Sequence, residues 1–404
     1  MRFLKENVCN SEPLRGCTGC GMCACVCNVD AIKIIKDEAG FYRPEINADL
    51  CTGCSLCIKV CYRFDDKISV EEREEHESYS AVNKNDAELQ SASSGAVSIE
   101  LMRECLNRGY YVVGVAYDYS LNRAVTRIAK TENELEQFKG SKYFQSYTVD
   151  AFKEIVRDKS GQKYAVFGTP CQIYALSKVS DLKAESDKYI LVDIFCHGCP
   201  SLNLWDKYLE DVKAENDADK FDHINFRSKS HGWHEFCFDF FKGTQKITSS
   251  KYGNSFYELF FGMDLMNEAC YDCISRRTIL NADIRIGDFW GKRFNSDLKG
   301  VSAVVLGSER GRKLFLNVAS KFNIEQADFN EIIRAQSYKS IHLCDSDRRE
   351  KVFALLNGED DIKAVVKKRR KMLSVKTNIK RELKSLLKHL PPAVYSKLRN
   401  KFGQ

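Results

Sequence analysis

The chain has 404 residues, 44% hydrophobic and 29% charged with only 6 Pro, which suits two or three packed domains and excludes a disordered or fibrous polypeptide. Its net charge of +6 is uneven, since residues 363–404 hold 14 Lys and Arg against the single acid Glu382, so an acidic body precedes a basic tail. No run approaches the roughly 20 apolar residues that span a bilayer and Met1–Lys5 opens no apolar leader; a cytoplasmic location is expected, where 18 reduced Cys suit metal binding or redox work.

First along the chain come Cys17-x2-Cys20-x2-Cys23-x3-Cys27 and Cys51-x2-Cys54-x2-Cys57-x3-Cys61. This is the spacing of a bacterial two-cluster ferredoxin, written twice. Three thiolates two residues apart wrap one cubane while the fourth reaches its neighbour. Cys17, Cys20, Cys23 and Cys61 are therefore expected to hold one 4Fe–4S cluster, and Cys51, Cys54, Cys57 and Cys27 the other. Gly19, Gly21 and Gly53 relieve crowding, whereas Asn28 and Tyr62 stand where such runs usually carry Pro. Zinc is the alternative, but eight thiolates in these runs do not divide into zinc-ribbon pairs. Cys9 and Cys25 fall outside the spacing and read as spare thiols.

Residues 1–64 form this module, and the polar, mostly acidic stretch 65–92 reads as a linker or a solvated strand edge. An α/β or α+β body follows. Ser98–Arg108 has helical spacing, Tyr110–Tyr117 is β-rich, and Thr131-x-x-Glu134 is a capping box. Tyr164–Gly168 and Tyr189–Phe195 are apolar runs of strand length. Residues 221–306 are richer in strand-like alternation, with helical stretches near 255–266 and 308–321. The body divides into an N-terminal part at 93–180 and a C-terminal part at 181–345, before a basic helical tail at 346–404.

Several blocks in the body are too particular for generic core: Ser93–Ser98, Gly140–Ser146, Gly168–Gln172, Phe195–Ser201, Phe226–Trp233, Cys270-x2-Cys273 and Ala282–Gly291. Ser94 and Gly95 open a helix and offer N–H groups to a pyrophosphate, and Gly168 and Thr169 end a strand, where α/β sheets bind ligands. Ser141, Lys142 and Tyr143 add a cation and hydroxyls, with Gln145 and Ser146 closing that block. Taken singly, each also reads as a plain cap or a solvated Lys. In these blocks, from about 93 to 340, the chain resembles the beta-subunit family of the coenzyme F420 (deazaflavin) reducing hydrogenases and dehydrogenases. The resemblance implies an FAD-binding iron–sulfur subunit passing electrons between clusters and a two-electron carrier. Members commonly have Ser-Gly-Gly where this chain has Ser94-Gly95-Ala96.

Cys171, Cys196, Cys270 and Cys273, with Cys199 as substitute, are expected to close a third 4Fe–4S cluster, the alternative being buried free thiols. His197 is a candidate proton donor to substrate, and Asp288 is a candidate for the flavin hydroxyls. Arg227 and Trp233 are placed to frame a planar anion, as an Arg and a Trp at a core edge also would be. The basic tail, helical over Val375–Leu390 and broken at Pro391-Pro392, suits an anionic membrane surface or a protein partner, or is simply solvated; nothing suggests a nucleic-acid module.

The leading expectation is a flavin-dependent iron–sulfur oxidoreductase of an oxygen-poor cytoplasm. It would take electrons from a low-potential donor, such as ferredoxin or a reduced deazaflavin, and pass them to a small-molecule acceptor. The alternatives are a non-catalytic relay subunit and a metal-stabilised interaction protein.

Overall fold

A computed structural model describes residues 6–69, 75–249, 254–279, 281–336 and 343–388. Thirteen strands among them follow in order: β1 (Ile32–Lys36), β2 (Tyr42–Ile46), β3 (Ser78–Asn83), β4 (Tyr111–Asp118), β5 (Arg123–Ala129), β6 (Tyr164–Gly168), β7 (Tyr189–Ile194), β8 (His223–Ser228), β9 (Cys237–Lys242), β10 (Gln245–Thr248), β11 (Ile284–Asp288), β12 (Ser302–Leu306) and β13 (Phe322–Gln326). They make an antiparallel β1–β2 ladder, a three-stranded sheet β10-β9-β8, and an eight-stranded sheet ordered β13-β3-β12-β11-β7-β6-β4-β5. The fold is mixed α/β.

The centre of the large sheet is parallel: β4 pairs β6, β6 pairs β7 and β7 pairs β11, while the outer neighbours are antiparallel. Central parallel strands are covered on both faces and read as continuous apolar runs. In β6 and β7, Ala165, Phe167, Ile190 and Val192 enter one core and Tyr164, Val166, Tyr189 and Leu191 the other. The carboxyl ends of β6, β7 and β11 share one edge, so Gly168, Ile194 and Asp288 end their strands on the same side of the sheet, where α/β sheets bind ligands. A third, aromatic core joins Trp205, Phe226, Phe238 and Phe256 to Ile32, Ile34 and Tyr42 of the N-terminal ladder.

Two expectations change. Residues 78–83, read as a linker or a solvated strand edge, stand as the largely buried β3 between β12 and β13. Their buried polar groups hid the strand because partners satisfy them: Asn83 Nδ2 donates to Glu100 Oε1 at 3.2 Å and Ser78 Oγ to the His76 carbonyl at 2.9 Å. Residues 70–74 of the same stretch lie outside the described residues. The tail does not begin at 346, since helices Ser346–Asn357 and Ile362–Lys371 bury Val352, Leu356, Ile362, Val365 and Val366 in the aromatic core. Helix Val375–Lys388 follows as expected, and Pro391-Pro392 lies outside the described residues.

Candidate redox centre

Each cysteine run ends in a short helix, Met22–Cys25 or Leu56–Lys59. The turns before them need left-handed backbone, with φ of +72° at Gly19, +76° at Gly21 and +73° at Gly53. Cys17, Cys20, Cys23 and Cys61 line one cavity, together with Gly19, Gly21, Val60 and Tyr62. Burial pushes the Cys23 thiol up, and Cys20, Cys17 and Cys61 add to the effect as charged neighbours. Burial likewise raises Cys20 to about 11 and Cys61 to about 12.

The sulfurs are met by backbone donors suited to thiolates. Gly19 N–H reaches Cys17 Sγ at 3.4 Å and Ala31 N–H reaches Cys27 Sγ at 3.2 Å. Cys57 has Cys54 and Cys51 as neighbours and accepts from the Val8 and Ile58 N–H groups. An all-thiolate donor set with N–H groups aimed at sulfur fits iron–sulfur ligation. Among the described residues, no three His, Cys, Asp or Glu side chains gather as ligands of a single ion. Cys25 is instead buried, donating to the Gly21 carbonyl at 3.4 Å, and Cys9 is exposed.

The third set gathers from three distant segments. Cys171 sits in the first turn of helix Pro170–Lys183, whose cap Thr169 brings Oγ1 within 3.3 Å of its sulfur. Cys196 follows β7, and Cys270 and Cys273 lie beyond helix Ser255–Gly262. Burial raises Cys171, with Cys273, Cys20 and Cys196 as neighbours, and raises Cys270, with Cys199, Cys273 and Cys196. Cys171 and Cys270 thus each lie within electrostatic reach of Cys196 and Cys273. Cys199 joins them, its N–H meeting Cys270 Sγ at 3.4 Å.

Cys20 belongs to the N-terminal cavity yet neighbours Cys171, so the first and third sets adjoin. Tyr62 stands between them, lining the cavity while feeling Cys273, Cys171, Cys270 and Cys17. Its hydroxyl donates to the Gly16 carbonyl at 2.8 Å. Sequence reasoning noticed Tyr62 only as a missing Pro.

The residues expected to bind a flavin separate into two groups. Gln145 and Ser146 face the N-terminal module or the sheet: Gln145 donates to the Thr18 carbonyl at 2.6 Å and accepts from Tyr42 N–H at 3.1 Å. Ser146 Oγ accepts from Gln172 Nε2 at 3.1 Å. Gln172 also caps Thr169 N–H at 3.0 Å, and Gly168 precedes it at the strand end. Gln145 is therefore committed to docking.

Ser94, Ser141, Lys142 and Tyr143 make the second group. Ser93 Oγ accepts from Ser141 N–H at 2.8 Å and joins the two loops. Ser94 Oγ donates to the Val301 carbonyl at 2.7 Å, while Gly95 lies so close to β3 that a Cβ would stand 2.1 Å from the Ala81 carbonyl. Ala96, the departure from Ser-Gly-Gly, caps helix Val97–Asn107 with φ of +64°. Burial lowers Lys142 to about 7 although its Nζ donates to the Gln137 and Lys139 carbonyls at 3.0 and 2.9 Å. Lys229, which sequence reading passed over, reaches the Ser94 carbonyl at 2.8 Å.

Asp288 accepts from Trp233 Nε1 at 2.9 Å, and Trp233 stacks on Trp290 with centroids 4.8 Å apart. Arg227 is buried, donating to the Trp233 and Glu235 carbonyls and lying 3.9 Å over the Phe236 ring, so its guanidinium serves the protein. His197 packs 5.4 Å from Phe260 and 5.6 Å from Phe261 by ring centroids, beside Cys196.

Residues 161–331 match the family described as the C terminus of the coenzyme F420 hydrogenase/dehydrogenase beta subunit, and residues 16–63 match a 4Fe–4S dicluster domain. The coenzyme F420 hydrogenase subunit beta of Methanococcus voltae is 27% identical over 124 residues, covering 26% of this chain and 44% of that relative, so the match spans under half of its length. The F420-reducing NiFe hydrogenase complex from Methanosarcina barkeri is a similar solved structure at 17% identity, covering 77% of this chain and 96% of the other with a TM-score of 0.44. The chain joins a region that matches a 4Fe–4S dicluster domain to one that matches the C terminus of the coenzyme F420 hydrogenase/dehydrogenase beta subunit.

Proposed function

We propose that the protein is an iron–sulfur flavoprotein oxidoreductase that passes electrons from a low-potential donor to a two-electron acceptor. One observation carries the reading: the cavity of Cys17, Cys20, Cys23 and Cys61 adjoins the set of Cys171, Cys196, Cys270 and Cys273, with Tyr62 between them. In this reading those two sets each hold a 4Fe–4S cluster, as do Cys51, Cys54, Cys57 and Cys27. Clusters carry single electrons, and FAD held by this chain would supply the chemistry that pairs them for an acceptor.

Ser94, Gly95, Ser141, Lys142, Tyr143 and Lys229 are the residues proposed to meet the flavin, on the side of the sheet where Gly168, Thr169 and Asp288 end their strands. Lys142 and Lys229 are half-buried, with pKa values lowered by burial, and an anionic cofactor would hold both in the cationic form. His197 is the proposed donor of a proton to the acceptor. Arg15, Arg43 and Arg63 surround Cys17 in a recess open to solvent, which suits an acidic carrier such as ferredoxin.

Oxygen-free purification with iron, sulfide and flavin analysis tests this. About twelve iron and twelve sulfide with about one flavin per chain are expected. Absence of acid-labile sulfide overturns the reading and leaves a zinc-stabilised interaction protein. The name of the Methanococcus relative, a subunit, favours a second reading as a relay within a larger complex. Reduction of a small acceptor by the isolated chain would exclude it.

A further inference from the structure

We infer that the C-terminal helix Val375–Lys388 binds an anionic lipid surface through an apolar stripe that the described residues leave uncovered. The preceding helix, Ile362–Lys371, buries Ile362, Val365 and Val366. The last helix behaves differently: Val375 is 74% exposed, Ile379 53%, Leu383 56% and Leu386 66%. Their spacing of four, four and three residues sets all four on one face.

The helix is held to the body elsewhere on its circumference and by polar contacts. Arg381 pairs with Glu258 at 3.2 Å, and Asn378 Nδ2 donates to the Arg370 carbonyl at 2.9 Å. The stripe is therefore not the face that docks on the body. A water-exposed row of aliphatic side chains is unfavourable unless something covers it.

Charge selects the occupant. Lys367 and Lys371 on the preceding helix and Lys376 on this one are exposed, and the helix adds Lys380, Lys384 and Lys388 in sequence against the single acid Glu382. Protein hot spots centre on Trp, Tyr and Arg packed in pockets. This stripe offers only Val, Ile and Leu with a basic surround, the composition of helices that lie in a headgroup layer. Among the described residues no helix is long and apolar enough to cross a membrane, so this helix would lie on the surface.

The inference goes beyond the redox reading and stands or falls separately, because its test needs no electron transfer. Full-length holoprotein is sedimented with vesicles of phosphatidylcholine alone, and with vesicles containing about one third phosphatidylglycerol. It should pellet only with the anionic vesicles and be released by about 0.5 M salt. The double variant Ile379→Ser/Leu383→Ser keeps every charge and changes only exposed positions, so an unchanged iron content checks its fold. Its partition coefficient should fall at least about tenfold. Equal binding by variant and parent, or by neutral and anionic vesicles, overturns the inference. So does a parent that stays in the supernatant with anionic lipid, which would leave a protein as the occupant.

Discussion

Gly19 shows at a single residue how closely the cysteine loop is fitted to the body. Its φ of +72° already disfavours a side chain, and an added Cβ would stand 2.1 Å from Gln145 Nε2 and 2.6 Å from the Tyr42 carbonyl oxygen. Gly109 separates the two effects, since its φ is +80° but nothing lies within 4 Å of its missing Cβ. Gly109→Ala should therefore cost only the backbone strain, about 1 kcal/mol. Gly19→Ala should cost at least about 2 kcal/mol more, because Tyr42 offers backbone that cannot swing aside. Urea denaturation of the two variants side by side measures the difference; equal losses would mean that the loop yields freely. Tyr62 belongs to the same scale. It packs edge-on to Tyr174 at 6.3 Å, and both rings fill the seam between two groups of thiols.

At the scale of elements, β7 and β11 are clasped by a buried ion pair. Arg285 Nε donates to Asp193 Oδ1 at 2.7 Å and its Nη2 to Oδ2 at 2.5 Å, while Nη1 and Nη2 also reach the Arg276 and Thr278 carbonyls. Those carbonyls lie just past Cys273, so one guanidinium ties the sheet to the segment of the third cysteine set. Asp193→Asn should destabilise by about 3–5 kcal/mol, as a buried charge loses its counter-ion. Adding Arg285→Met should restore part of that loss in urea midpoints without restoring the iron content. The clasp was invisible in the sequence, although its strands were not. Tyr164–Gly168 matched β6 in full, because a strand covered on both faces is written as an unbroken apolar run. β3 read only as a linker or a solvated strand edge because Ser80 and Asn83 bury polar groups whose partners, the Glu325 carbonyl and Glu100, lie elsewhere in the chain. The N-terminal cysteine runs were legible because their spacing is local. The meeting of Cys171 with Cys196 was legible as two neighbouring strand ends. Gln145 looked like part of a cofactor loop because its partners, Thr18 and Tyr42, lie over a hundred residues away.

Across the whole molecule, the N-terminal domain and the body are joined so that their thiols face each other. Gln145 grips Thr18 and Tyr42, Thr148 Oγ1 donates to the Cys20 carbonyl at 2.8 Å, and Arg157 Nη2 reaches the Cys27 carbonyl at 2.6 Å. Asp65 closes the far side of this joint. Lying just beyond Cys61, it pairs with Lys178 at 2.7 Å and accepts from the Tyr174 hydroxyl, both on the helix whose first turn carries Cys171. Burial alone would raise its carboxyl, but Lys178, Tyr174 and the Lys67 N–H outweigh it and hold the pKa at about 2. An unfolded Asp titrates near about 3.9, so the folded form binds its proton more weakly. The contribution is complete above about pH 4 and is lost as pH falls through about 2. Allowing for partial solvent access, it amounts to about 1–2 kcal/mol. Asp65→Asn should lower the urea midpoint by a constant amount from neutrality down to about pH 4, and the gap from wild type should close below that. Comparing the two proteins at each pH cancels what acid does to the rest of the chain. A gap that stays open at about pH 2 would show that Asp65 acts through shape and not charge. A gap that closes would place a single ion pair in control of how the two sets of thiols meet.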